Sequence, residues 1–292
     1  MDIRKDTPAV LSHLETYVET PVVTRARLHR VTHQGHQVCW HQMGDGPPLV
    51  LLHGGHGSWL HWVRNIEVLA TRYTVWVPDM PGYGGSDAPP EPTMGSLVAI
   101  TTGTLNQLVG DLTPVNLVGF SFGGLVAAHL AAQRQHIHRL ALLGPGGHGG
   151  QRRPSGELRS WRSAADAGNS GDRAALAQVM RHNLAVHMLH DPTRIDALAV
   201  QVHTDACLHT RFHSKTISRS ATLGAVLDRC PSPLLLAWGE HDVTAQPDAI
   251  ALTLSEGRAN CRTHIVANAG HWAQYEQADA VNHLLLDWLG RD

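Results

Sequence analysis

The sequence predicts an α/β fold: a mostly parallel central sheet with helices on both faces, interrupted once by a purely helical insertion. Three observations carry this expectation. Short apolar runs bounded by Gly, Pro or Asp recur along the chain, as in "PLVLLHG" (48–54) and "VNLVGFS" (115–121). Continuous runs of this kind suit strands covered on both faces. Helical patterns separate them, as in "GGLVAAHLAAQRQ" (123–135), and strand–helix alternation builds parallel sheets. The alternation lapses between about 147 and 225, where helical patterns follow one another with no strand between them.

The elements follow in order. "RLHRVTHQGHQVCWHQMG" (27–44) reads as a leading antiparallel hairpin turning at Gln34-Gly35. The strand at 48–54 comes next, then "YTVWVPDMPGYGGSD" (73–87), a strand running into a Gly/Pro-rich turn. The strand at 115–121, the helix at 123–135 and the strand "IHRLALLGP" (137–145) complete the first half. After a Gly/Pro/Arg-rich exit come the helical patterns "DRAALAQVMRHNLAVHML" (172–189) and "TRIDALAVQVHTDACL" (193–208). "SPLLLAWGE" (232–240) and "RTHIVANAG" (262–270) are the last strands, and "DAVNHLLLDWL" (279–289) is an amphipathic helix. Residues 1–146 and 226–292 are therefore expected to form the core domain, with 147–225 as a helical cap inserted after the sixth strand. Such a cap belongs over the C-terminal edge of the sheet, where open α/β sheets bind ligands.

Composition narrows the function. With 42% hydrophobic and 16% charged residues in 292, the chain has ample material for a core. A formal net charge of −2 and the lack of basic runs point away from nucleic acid and from anionic membrane surfaces. "MDIRKDTPAV" (1–10) has no apolar signal core, and no apolar run reaches the length of a membrane span. Four scattered cysteines without a C-x-x-C pair fit a reduced, cytoplasmic protein. The expected partner is a small-molecule substrate, with no nucleic acid and no membrane; self-association into a homo-oligomer is left open.

Histidine is abundant, at 22 residues. His187 and His190, and His209 and His213, have spacings that place two imidazoles on one helix face. No H-E-x-x-H occurs and no nearby Asp, Glu or Cys completes a ligand set, so solvated histidines are expected, with no metal and no cofactor.

The chemistry is read from "GFSFG" (119–123), a G-x-S-x-G between a predicted strand and a predicted helix. So sharp a turn strains the backbone of Ser121, and Gly119 and Gly123 supply the room it needs. A serine hydroxyl needs a base to become nucleophilic. His271 in "ANAGHWAQYE" stands behind a turn glycine after the last strand, with a pKa range suited to proton transfer. The acid that orients it should follow an earlier strand; Asp242 in "AWGEHDVT" fits, with Glu240 as a rival nearer the strand. "HGGHGSW" (53–59) follows the strand "PLVLL". Its glycines let backbone N–H groups approach a reacting carbonyl: Gly55, or less well Gly54, together with Phe122, would form an oxyanion hole. His53 then braces the loop, and His56 and Trp59 are candidates to line a pocket.

The landmarks "LLHGGHG", "VPDMPGYGGSD", "VGFSFGG", "WGEHD" and "NAGHW" occur in order over nearly the whole chain. By them the chain resembles the α/β-hydrolase superfamily. Within it, "HWVRNI" (61–66), "LLGPGG" (142–147) and "GHWAQYEQAD" (270–279) make it most similar to the meta-cleavage-product hydrolases. Those enzymes cut a carbon–carbon bond in vinylogous 1,5-diketones from aromatic catabolism. The resemblance implies a Ser121–Asp242–His271 triad, Trp272 packing on the substrate, and a cap arginine on the substrate's carboxylate end, for which Arg211 in "HTRFHSK" is the match. Gly54 and Phe120 would also face the substrate. Two departures stand out. Phe120 replaces the polar Asn usual before the nucleophile, and "GHGSW" replaces a Gly/Pro-rich loop. Both fit a carboxylic ester as the alternative substrate. A small-molecule receptor on the same scaffold is the non-enzymatic alternative, since fold does not fix function.

Overall fold

The computed structural model describes residues 20–162 and 173–291. The reading of the first ten residues, and part of the insertion, lie outside these. Eight strands form one sheet in the order β1-β2-β4-β3-β5-β6-β7-β8: β1 Arg27–His33, β2 His36–Met43, β3 Pro48–Leu52, β4 Thr74–Pro78, β5 Val115–Phe120, β6 Ile137–Leu143, β7 Leu234–Gly239 and β8 Cys261–Val266. The β1–β2 hairpin turns at Gln34 (φ 50°) and Gly35 (φ 81°) and is antiparallel, as is the β2–β4 pairing. Every other pair is parallel.

Alternation of side chains along each strand builds two cores. Leu49, Leu51, Val118, Phe120, Ala141 and Leu143 face one, and Val50, Leu52, Leu117, Leu140, Leu142 and Leu236 face the other. The second core is roofed by α1 (Met94–Val109), α2 (Phe122–Ala131) and a helix at Pro247–Ser255. The first takes the C-terminal helix Ala278–Leu289 through Val281, Leu285, Trp288 and Leu289. Leu176, Met180 and Leu184 of α3 (Arg173–His187) join the same core. This ties the insertion to the sheet by buried apolar contact.

β3 runs on to β4 on one side of the sheet, whereas β5 continues to β6 on the other. The loops leaving β3 and β5 therefore diverge. The C-terminal edge between them is the usual ligand position in open α/β sheets. Between β6 and β7 the described residues contain helices and no strand. The helical pattern at 193–208 divides into a 3₁₀ turn at Pro192–Arg194 and α4 at Ala197–Leu208. Two N-caps cause the break: Asp191 accepts from Thr193 N–H and Asp196 from Ala199 N–H, so two helical starts compete within six residues.

Asp205 of α4 is buried, and neither carboxylate oxygen has a hydrogen-bond partner among the described residues. Burial pushes its carboxyl up to about 7. A carboxyl raised in the folded state destabilises the fold progressively as pH climbs from its unfolded value, roughly 4, to the folded one. Asp205→Asn is therefore expected to raise the thermal midpoint more at about pH 8 than at about pH 5. Melting curves of both proteins at the two pH values check this; an equal shift at both would refute it.

Candidate active site

The site is assembled from the ends of β3, β5, β7 and β8. β5 must turn into α2 within one residue, and Ser121 absorbs the turn with φ 54° and ψ −119°. Such a backbone costs about 1–3 kcal/mol and persists only when its surroundings impose it. Here they do: Ser121 N–H donates to Leu143 O (2.9 Å), and Ser121 O accepts from Gly146 N–H (2.8 Å). A Cβ on Gly123 would run into the carbonyls of Leu52 and His53, so only glycine lets α2 lie this close to β3.

The half-buried Ser121 hydroxyl lies 2.9 Å from His271 Nε2, and His271 Nδ1 lies 2.9 Å from Asp242 Oδ2. The carboxylate accepts from Nδ1–H, which leaves Nε2 unprotonated toward the serine. Asp242 is fully buried, and its other oxygen accepts from Thr244 N–H and Thr244 Oγ1–H, both at 2.7 Å. Burial pushes the Asp242 carboxyl up, but the charge of His271 and hydrogen bonds from His271 and Thr244 outweigh this and hold it below the usual range. Glu240, the rival acid, is exposed and accepts from Asn268 N–H (2.9 Å) instead. The loop carrying His271 is fixed by buried Glu276, which accepts from the N–H groups of Gly270 (2.6 Å), His190 (3.0 Å) and Asp191 (2.6 Å).

The loop after β3 distinguishes its two glycines. Gly54 N–H donates to His61 Nδ1 (3.3 Å). Gly55 N–H and Phe122 N–H have no acceptor among the described residues. Phe122 opens α2, where helix geometry supplies no internal acceptor. His53 is buried and braces the loop: Nδ1–H donates to Gly54 O (2.8 Å) and Nε2 accepts from Met80 N–H (3.0 Å). Burial lowers its pKa to about 4, so it stays neutral.

The remaining expected residues divide. Phe120 is fully buried, with its ring 5.0 Å from that of His271 and 5.5 Å from that of His61. Trp272 is also fully buried; its indole N–H donates to His61 O (2.9 Å) and its ring stacks on Tyr275. It fixes the wall rather than presenting a face to solvent. Trp59 stacks on His41 with ring centres 3.8 Å apart. Arg211 reaches the 82–86 turn. Its exposed guanidinium donates to the carbonyls of Gly84 (3.1 Å), His209 (3.4 Å) and Ser86, and its backbone N–H to Gly82 O (2.8 Å). A guanidinium that spends three of its five donors on backbone carbonyls latches the insertion to the 82–86 turn. Arg211→Ala is expected to lower the thermal midpoint by a few degrees, about 1 kcal/mol of stability, without altering preference between anionic and neutral substrates. Melting curves and paired kinetics check it.

Sequence reasoning missed the lid-side imidazoles. His187, at the end of α3, lies with its ring centre 5.6 Å from that of His271. Burial, then the neighbouring charges of His271 and Arg152, lower its pKa to about 3. His203 of α4 is lowered to about 4 by burial, and His56 and His61 are lowered as well, again mainly by burial. His187 was marked only by its spacing with His190 and expected to be solvated, and among 22 histidines no spacing singles out the others. Thr244 was missed as well, although a threonine two residues after an Asp is the pattern of an Asx turn. Among the described residues no group of three or more His, Cys, Asp or Glu is placed to hold a metal ion, and no helix is long and apolar enough to cross a membrane.

The family described as the alpha/beta hydrolase fold matches residues 47–278. The chain is 31% identical to a 2-hydroxy-6-oxononadienedioate/2-hydroxy-6-oxononatrienedioate hydrolase of Cupriavidus pinatubonensis, over 83% of this chain and 86% of that protein. It is 28% identical to a 2-hydroxy-6-oxo-6-phenylhexa-2,4-dienoate hydrolase of Comamonas testosteroni, over 86% of this chain and 91% of that one. Among solved structures, a meta-cleavage product hydrolase from Pseudomonas fluorescens superposes with a TM-score of 0.71 at 23% identity, covering 89% of this chain and 97% of that one.

Proposed function

Because the chain belongs to the alpha/beta hydrolase fold family, we propose that Ser121, His271 and Asp242 are the catalytic triad of a hydrolase that cleaves a carbon–carbon bond in a vinylogous 1,5-diketone. The observation that carries this reading is the unbroken hydrogen-bonded chain Ser121–His271–Asp242 on a strained elbow. The relatives named as dienoate and dienedioate hydrolases supply the substrate class.

His271 Nε2 takes a proton, from Ser121 as its oxygen adds to the ketone or from a water that adds in its place. The oxyanion lies between the N–H groups of Gly55 and Phe122, where fixed donors stabilise charge that develops in the transition state. The carbon–carbon bond then breaks with its electron pair passing into the conjugated fragment, which takes the proton held by His271. If an acyl-Ser121 has formed, water attacks it in a second step of the same kind. Asp242 holds the imidazole's tautomer and balances its positive charge. The surrounding imidazoles stay neutral, so they add no like charge against His271 as it protonates. Residues 147–225 serve as a lid over this chemistry. The four cysteines are unpaired, which suits a reducing compartment such as the cytoplasm.

Ester hydrolysis by the same triad is the second reading. It is favoured by Phe120, which sets an apolar ring beside His271 where a polar group would suit a dienoate. Comparing kcat/KM for a 2-hydroxy-6-oxo-dienoate with that for an activated aryl ester tests the assignment. Preference for the dienoate supports carbon–carbon cleavage; turnover of the ester alone would replace it with the second reading.

A further inference from the structure

The edge of the sheet opposite Ser121 carries a cleft of about 310 Å³. It lies where β6 and β8 begin and where the C-terminal helix Ala278–Leu289 ends. Arg139, near the start of β6, lines it together with Arg262 of β8, Asn260, Trp288 and Arg291. Leu143, whose carbonyl accepts from Ser121 N–H, closes the same strand, about 13 Å further along it. The cleft is therefore separate from the Ser121 site.

An arginine seldom leaves solvent without a partner, yet Arg139 is only 7% exposed. Its Nη2–H donates to Arg291 O (2.5 Å). Its Nε–H is buried with no acceptor, and so is the indole N–H of Trp288. The Arg139 guanidinium lies 5.2 Å from the centre of the Trp288 ring, and that of Arg262 lies 6.0 Å from it. One indole thus gathers two cations, and its attraction for both offsets part of their repulsion. Arg291 pairs with Asp287, one helical turn before it. The Arg262 guanidinium makes no hydrogen bond or ion pair among the described residues. Asn260 spends its amide N–H groups on the carbonyls of Pro231 (3.3 Å) and Ser232 (2.8 Å). Among the described residues no carboxylate lines the cleft.

Three guanidinium groups with one carboxylate, Asp287, among them leave two charges unopposed. A desolvated cation without a counter-charge is costly. Guanidinium forks match the oxygens of a phosphate, which carries close to two negative charges at neutral pH. Because Arg139 is withdrawn, a flat membrane surface or a duplex would meet only Arg262 and Arg291; a small ion reaches all three.

We propose that Arg139, Arg262 and Arg291, braced by Trp288, form a binding site for a small, freely diffusing phosphate dianion. The site is independent of the hydrolase reading and of which bond is cut. The bound ion ties the starts of β6 and β8 to the end of the last helix, so its occupancy is read as stability.

The test is isothermal titration calorimetry with inorganic phosphate, chloride holding the ionic strength constant, alongside thermal melting. Wild type is expected to bind phosphate saturably and to melt at a higher temperature with it. Arg262→Ala, at an exposed position that the fold does not depend on, should weaken binding about 10- to 100-fold. Arg27→Ala removes the same charge from an exposed position on β1 and should bind as wild type does. Binding that does not saturate, undiminished binding in Arg262→Ala, or equal weakening in both variants would overturn the site. So would sedimentation with phosphatidic-acid vesicles that free phosphate fails to compete off, which would make the ligand a membrane headgroup.

Discussion

Ser121→Ala is expected to reduce kcat by about 10⁴-fold or more while the protein folds and melts much as wild type does. The hydroxyl's partner is His271, and the hydroxyl has no share in either hydrophobic core. The strain at φ 54° stays in the variant, because alanine keeps the Cβ. Residual turnover should come from the N–H groups of Gly55 and Phe122 and from substrate binding, and so should exceed the uncatalysed rate. Turnover within tenfold of wild type, measured on the better of the two substrates with an active-site titration to exclude contamination, would remove Ser121 from the mechanism.

The second large effect is at Asp242. Asp242→Asn replaces an acceptor by an amide that can donate to His271 Nδ1, which favours the tautomer with its proton on Nε2, toward the serine. A loss of about 10³- to 10⁴-fold in kcat follows. Glu240→Gln should stay within about threefold, because that side chain is exposed and serves Asn268. The reverse outcome would exchange the two acids. The same carboxylate links stability to acid. Its folded pKa is depressed, so its contribution is present above the unfolded value of about 4 and is lost as pH falls through the folded one. Wild type should therefore lose thermal stability below about pH 4 more steeply than Asp242→Asn.

The sequence disclosed what short-range chemistry dictates. Apolar runs located β3, β4, β5, β6 and β7 because both faces of these strands are buried, and the hairpin turned where Gln34-Gly35 required. Ser121, Asp242 and His271 were legible because each follows a strand end, so one edge of the sheet gathers them. Gly54 and Gly55 could not be separated by sequence; His61, seven residues after Gly54, takes one N–H and leaves the other. The lid was the hard part. Periodicity reveals a helix but not the face on which it docks, so His187 and His203 were indistinguishable from surface histidines. Arg211 suffered the same ambiguity: the carbonyls that bind it belong to a turn about 125 residues earlier, and no local pattern announces such a meeting.

The sheet order has a consequence for handling the protein in concentrated solution. β1 and β8 are its two open edges, and an open edge can template stacking of one sheet against another. β1 carries Arg27, His29, Arg30 and His33, and β8 carries Arg262 and His264. The three arginines and His264 are exposed, so each edge confronts its copy with like charge. Both edges are therefore guarded against end-to-end aggregation by exposed arginines. One arginine guards β8 and two guard β1, which makes β8 the edge along which turbidity should first develop on storage.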